Sequence, residues 1–342
     1  MEKKKQAAYI AIGIGLIVIV ALPHFLDLTA LAIAIVTLWT MYLCSTWNIC
    51  GMAGIFCMAH GSALVAGAYL STLLWRYFGI SPWIGMLAGI AAAGLFGWLI
   101  AALGFRARLS PMAFALFTAI WGSIGYFIVQ SYNFFGASNC ISNAYAGTQV
   151  GLFQFESPIV FYYIILAMNV GAMLLSDHIL KSRFGLYLKA VNGNERFAAA
   201  AGVDVVRYKT IAMTLSMMLF AIAGTFWAQY SRLASADLAG MQAIMFAILV
   251  VVLGGAGTLW GPVLGAAILM PIREILRIKF VGLPGLSLFL YGLIIILVLR
   301  TLRTGILTWY SQYRQKKRFI NIASMGKNMP GDLQMPAIGS EK

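Results

Sequence analysis

The sequence predicts an all-α polytopic membrane protein of about ten transmembrane helices, with both termini on the inner side. Three observations carry that expectation. Of 342 residues, 61% are hydrophobic and only 10% charged, whereas a soluble domain carries about a quarter charged residues. Apolar runs long enough to cross a bilayer recur along the chain. Lys and Arg gather between alternate runs. The formal net charge of +14 does not point to nucleic acid, because no soluble domain is present to carry a binding face.

A span needs about 20 apolar residues. Such runs fall near 8–26, 29–50, 52–75, 83–105, 111–132, 158–176, 210–231, 240–259, 261–278 and 283–301. The first follows Lys3, Lys4 and Lys5 and has no small-x-small cleavage site, so it reads as an uncleaved span rather than a signal peptide. The ninth carries Arg273, Glu274, Arg277 and Lys279 in its last turns, which marks it as short, tilted or partly interfacial. With the N-terminus inside, the inner segments hold 19 of the 24 basic residues. That asymmetry favours both termini in the cytoplasm. Residues 1–313 form one transmembrane unit. In residues 314–342, Arg314, Lys316, Lys317 and Arg318 precede Gly, Pro and Ser; this tail is expected to be disordered and to meet anionic lipid headgroups. The outer loop 133–157 has no Lys or Arg and is rich in Asn, Ser, Gly and aromatics, as a wet surface meeting a partner would be. No internal repeat is visible.

The longest charged insert in the body of the chain is 177–209, with six basic and three acidic residues. Within it, Asn194 suits an N-cap, Glu195 a first turn, Ala198 and Ala199 propagation, and Gly202 termination. So short a helix cannot persist alone in water. Something must hold it, and a handle by which a soluble motor grips a membrane pore fits. The acids support an external motor. Of ten, only Glu274 falls within a span and none lies at a span's middle. A proton-coupled carrier would need a midplane carboxylate, although sodium coupling through backbone carbonyls stays open.

Glycine marks two other places. Gly51 and Gly54 open a segment of small residues that runs through His60 to Gly67; such residues permit close helix contact or irregular backbone beside a cavity. His60 either bridges helices by a hydrogen bond or faces a translocation path. Gly254, Gly255, Gly257, Gly261 and Pro262 form a tight inner hairpin, which is no phosphate loop, since no GK[ST] follows. Cys44, Cys50 and Cys57 read as small buried hydrophobes. His24, His60 and His178 are scattered, and no catalytic set, cofactor motif or metal cluster is legible. The chain therefore reads as a transport subunit rather than an enzyme.

Three motif regions resemble a known family. They are Gly51 through His60 and Gly61 to Gly67, Ala68 and Tyr69; Arg183, Phe184 and Gly185 through Asn194 and Glu195 to Arg207, Tyr208 and Lys209; and Gly254 to Thr258 with Gly261, Pro262 and Val263. The chain is similar to the M-type inner-membrane permeases of branched-chain amino-acid ABC importers. That resemblance implies a bacterial inner-membrane protein working with two ABC ATPase subunits, a second homologous permease and an extracytoplasmic solute-binding protein. It also places residues 195–202 where such permeases carry the helix that docks into the ATPase. The implied cargo is a branched-chain amino acid or similar small solute; urea and short-amide importers use similar permeases. The rival reading is an autonomous channel or sodium-coupled carrier.

Overall fold

Serine followed by proline begins three of the long helices. Ser81, Ser110 and Ser157 each accept a hydrogen bond from a backbone N–H of the first turn, and Pro82, Pro111 and Pro158 take the first helical position. There a missing N–H costs nothing. In this computed structural model, residues 20–132, 140–143 and 147–301 are described. Their helices are α1 (Leu28–Met52), α2 (His60–Phe78), α3 (Pro82–Arg106), α4 (Pro111–Ser131), α5 (Pro158–Lys181), α6 (Arg183–Gly193), α7 (Glu195–Ala200), α8 (Val205–Tyr230), α9 (Met241–Gly254), α10 (Gly261–Lys279) and α11 (Pro284–Thr301). Among the described residues, α1, α3, α4, α5 and α8 are long and apolar enough to cross a membrane. Among the described residues the architecture is all-α apart from one antiparallel pair, β1 (Ile141–Ser142) with β2 (Leu233–Ala234), and an isolated bridge between Gln149 and Gln154.

The core is built on α1 and α8, which run antiparallel. Trp39 and Tyr42 donate to the carbonyls of Ala223 and Leu219, and Ser216 donates to that of Thr46. One index rises as the other falls. Around this axis the contacts repeat: α3 packs on α8 as α10 packs on α1, and α2 lies between α3 and α8 as α9 lies between α10 and α1. The two halves of the chain thus follow one path in opposite senses, an inverted repeat with no visible trace in the sequence.

Two elements depart from the expected spans. The run at 52–75 is broken: α1 ends at Met52, residues 53–59 are not helical, and α2 starts at His60. Its counterpart at 240–259 is also short. Residues 231–240 descend as a strand and a 3-10 turn before α9, whose 14 residues reach only about 21 Å. Both helices start level with the interior of α8, and a Cβ on Gly61 would lie 2.8 Å from the Ala239 carbonyl oxygen. Unwound backbone inside a membrane protein must find partners, and here it does. Trp47 Nε1 donates to the Cys57 carbonyl at 2.9 Å, the Met58 N–H donates to Thr118 Oγ1 at 3.1 Å, and the Ile55 N–H reaches the Cys50 carbonyl. A third difference is α6, an eleven-residue helix inside the expected polar insert. Of the expected first span only residues 20–26 are described, with a 3-10 turn at Leu22–His24; the basic tail lies outside the described residues.

The ends differ in charge. One end gathers Arg106, Arg108, Arg196, Arg207 and Lys209 around α6 and α7. The other carries the β1–β2 pair and Trp83 stacked on Phe153. They are called the basic end and the strand end below.

Candidate functional site

The short helix α7 forms as its residue types dictate. Asn194 Oδ1 accepts from the N–H groups of Arg196 and Phe197 at 3.0 and 3.2 Å. At the other end Gly202 has φ +86°, a conformation that glycine adopts without a Cβ penalty. The Val203 N–H returns to the Ala198 carbonyl and that of Gly202 to Ala199, the paired closure of a Schellman motif. Asp204 then caps α8 by accepting from the Arg207 N–H at 3.0 Å. The helix with its cap, its stop and the cap of the next helix occupy eleven consecutive residues, 194–204.

A helix of six residues needs an anchor. Glu195 supplies one, pairing with Lys209 on the second turn of α8. Lys209 is almost buried, and its ammonium lies 5.5 Å from the centre of the Phe105 ring on α3, within cation–π range. Of the α7 side chains Ala198 alone is buried, while Phe197 is 76% exposed. An exposed phenylalanine on an anchored polar helix is a feature a partner surface could use.

Beneath α7 lies a cavity of about 870 Å³, walled by Gly54, Ile55, Phe56, Arg108 and Ala199. It therefore joins the short helix to the break after α1. At that break Gly54 has φ +68°, and a Cβ there would lie 2.6 Å from Asn192 Oδ1 on α6. Gly51 sits one turn earlier, 3.6 Å from the Gly257 nitrogen by the same measure. The glycine hairpin thus meets the break. Gly254 packs directly on the Gly261 backbone, and Pro262 opens α10.

Three of the sequence-marked regions therefore converge at the basic end: residues 194–202, the pair Gly51 and Gly54, and the hairpin 254–262. Gly67 and His60 do not join them. A Cβ on Gly67 would lie 1.9 Å from the Ala221 carbonyl oxygen, so this residue lets α2 and α8 touch backbone to backbone. His60 is fully buried and shares a 2.8 Å hydrogen bond with Ser216 of α8.

Two residues of the region escape sequence reasoning. Asn48 is buried near the end of α1; its Oδ1 accepts from the Gly257 N–H at 2.7 Å and its Nδ2 donates to the Thr258 carbonyl at 2.8 Å. One asparagine thereby ties the hairpin to the first half of the chain. Lys209 is the other: the sequence shows it as one of six basic residues and as the end of the second motif, with no sign of its pairing to Glu195. A polar residue inside an otherwise apolar helix was the available signal for Asn48; the pairing of Lys209 across fourteen positions had none.

Comparison with known proteins gives the family. A family model described as the permease component of branched-chain amino acid transport systems matches residues 29–299. The chain is 26% identical over 288 residues to the high-affinity branched-chain amino acid transport system permease protein LivM of Salmonella typhimurium, covering 77% of this chain and 67% of that protein. It is 27% identical over 273 residues to LivH of Escherichia coli, covering 75% and 87%. It is also 27% identical over 259 residues to the fructose import permease protein FrcC of Rhizobium meliloti, covering 72% and 69%. No solved structure matches. With the family model spanning every helix from α1 to α11, the chain belongs to the family of permease components of branched-chain amino acid transport systems.

Proposed function

We propose that this chain is one of two permease subunits of an ATP-driven ABC importer in a bacterial inner membrane, carrying branched-chain amino acids or a similar small solute. The observation that carries the reading is α7, a six-residue helix that exposes Phe197 while Glu195 fixes it to Lys209. Such a helix suits a partner that pushes on it. The chain has no Walker motif, so two ABC ATPase subunits bind the ATP. A second homologous permease and an extracytoplasmic solute-binding protein complete the assembly.

Ten spans follow if the two broken ones are counted whole and the run at 8–26 is the first. The basic end is cytoplasmic by the distribution of Lys and Arg. Closure of the ATPases then moves α7. Lys209 passes the movement to α8 and, over the Phe105 ring, to α3, so the pore switches from outward to inward access. The names of LivM and LivH support an amino-acid cargo, and the 27% identity to FrcC, named for fructose, supports a reading in which the binding protein chooses the solute. Calorimetry on that binding protein with leucine, urea and fructose would identify the cargo.

The test expresses the chain with its ATPases and compares Glu195→Gln and Gly202→Ala with the parent. Both variants are expected to insert normally, with reduced ATPase co-purification or ATP-driven uptake. Parental assembly and uptake in both would sink the coupling role. Solute transport by the purified chain alone in vesicles would favour the autonomous channel or carrier.

A further inference from the structure

On the flank of α3 and α8, beside the vestibule under α7, lies a second cavity of about 660 Å³. Its α3 wall is Trp98, Ala102 and Arg106, spaced by four and therefore one stripe of the helix. Its α8 wall runs from Arg207 through Ile211 and Leu215 to Met218, again a single helical face. The two stripes are oriented alike, with an arginine at the basic end and apolar side chains deeper in. Between Arg207 and Met218 the groove extends about 16 Å along α8.

Three further facts define what such a groove would take. Trp98 is 53% and Ile211 42% exposed, so the groove opens sideways, where lipid would lie. Arg106 and Arg207 have no ion-pair partner among the described residues, and the one carboxylate in the wall, Asp204, accepts the capping hydrogen bond of α8. Thr210 and Thr214 line the groove with buried hydroxyl oxygens that have no hydrogen-bond partner. A threonine in a membrane helix ordinarily bonds its own backbone, so two unpartnered hydroxyls on one face await an acceptor from outside.

We propose that this groove holds one anionic phospholipid. Its phosphate sits between Arg106 and Arg207, its glycerol esters accept from Thr210 and Thr214, and one acyl chain lies along Ala102, Ile211 and Leu215 toward Met218. Two guanidinium groups against one committed carboxylate leave the mouth net positive, which favours a headgroup of net negative charge over a zwitterionic one. The lipid would clamp α3 to α8 one turn from the contact of Lys209 with Phe105.

The experiment purifies the assembled importer, exchanges it through phosphatidylglycerol or phosphatidylcholine, and counts retained lipid by native mass spectrometry. The parent is expected to keep one phosphatidylglycerol per copy of this chain and to release phosphatidylcholine. Each of Arg106→Gln and Arg207→Gln should weaken retention about tenfold, the loss of one charge-assisted contact, while Arg183→Gln at the same end should not. Ile211→Trp fills the slot and leaves both charges, so it should also release the lipid, which keeps the test valid if an arginine variant misfolds. Equal retention in the arginine variants and in Ile211→Trp would overturn the proposal. So would cross-linking of Ile211→Cys to the second permease in the assembled importer, because protein would then fill the groove.

Discussion

Asn48 makes two hydrogen bonds to the backbone of a turn more than two hundred positions away. Replacing it with alanine removes the partners of the Gly257 N–H and the Thr258 carbonyl, both of which are partly buried. Each lost hydrogen bond costs about 0.5–1.5 kcal/mol, so Asn48→Ala should lower the unfolding midpoint in detergent, read by scanning fluorimetry on the tryptophans. A midpoint equal to the parent's would show that the hairpin holds by itself. At Gly67 the cost has another origin: a methyl group has no room beside the Ala221 carbonyl, and overpacking costs about 1–3 kcal/mol. Gly67→Ala should therefore destabilise comparably, whereas alanine at Gly171, with nothing within 4 Å of its added Cβ, should not. Both glycines look alike in sequence, since close approach of two backbones is a property of pairs that no single position displays. Asn194 and Gly202 were legible because capping and termination are local chemistry, settled within a few residues of chain. Lys209 was not, because its partners Glu195 and Phe105 belong to other elements.

At the scale of elements, the helices that hydropathy finds are those whose side chains face lipid or core along their whole length. The broken spans at 53–78 and 231–254 pass the same test of composition, since an average over side chains says nothing about whether the backbone is helical. The small residues Gly51, Gly54 and Ala59 were the only advance notice of the first break. The helix α6 was hidden for the opposite reason. Its charged residues mask a buried stripe of Gly185, Leu188 and Val191, three to six positions apart on one face. For α7 the exposed side chain gives the sharper experiment. Phe197 touches no other ring among the described residues and is largely open, so Phe197→Ala should leave thermal stability within about 0.5 kcal/mol of the parent. If α7 is the ATPase handle, the same variant should lose ATPase affinity by about tenfold or more, as truncation of an aromatic anchor does. Retained affinity would move the docking surface elsewhere on the basic end.

For the whole molecule, the antiparallel pairing of α1 with α8 has a consequence beyond packing. Two halves related by inversion place equivalent elements at opposite ends, so charge distribution rather than fold must decide which end faces the cytoplasm. The inverted relation left no readable repeat because it constrains residues only where backbones touch, as at Gly61 against Ala239, and leaves lipid-facing positions free. Orientation can be measured with the chain's own cysteines. Cys44, Cys50 and Cys57 are buried and Cys140 at the strand end is exposed, so a Cys140→Ser background should give no labelling by a membrane-impermeant maleimide. Into that background Val150→Cys, at a position 71% exposed at the strand end, and Lys189→Cys, on the exposed face of α6, provide one reporter each. With the basic end in the cytoplasm, spheroplasts should label at position 150 and not at 189, and lysis should expose 189. The reverse pattern would invert the molecule. It would also remove α7 from reach of any cytoplasmic ATPase, so this labelling decides the topology and, in its reverse outcome, rules out the coupling role.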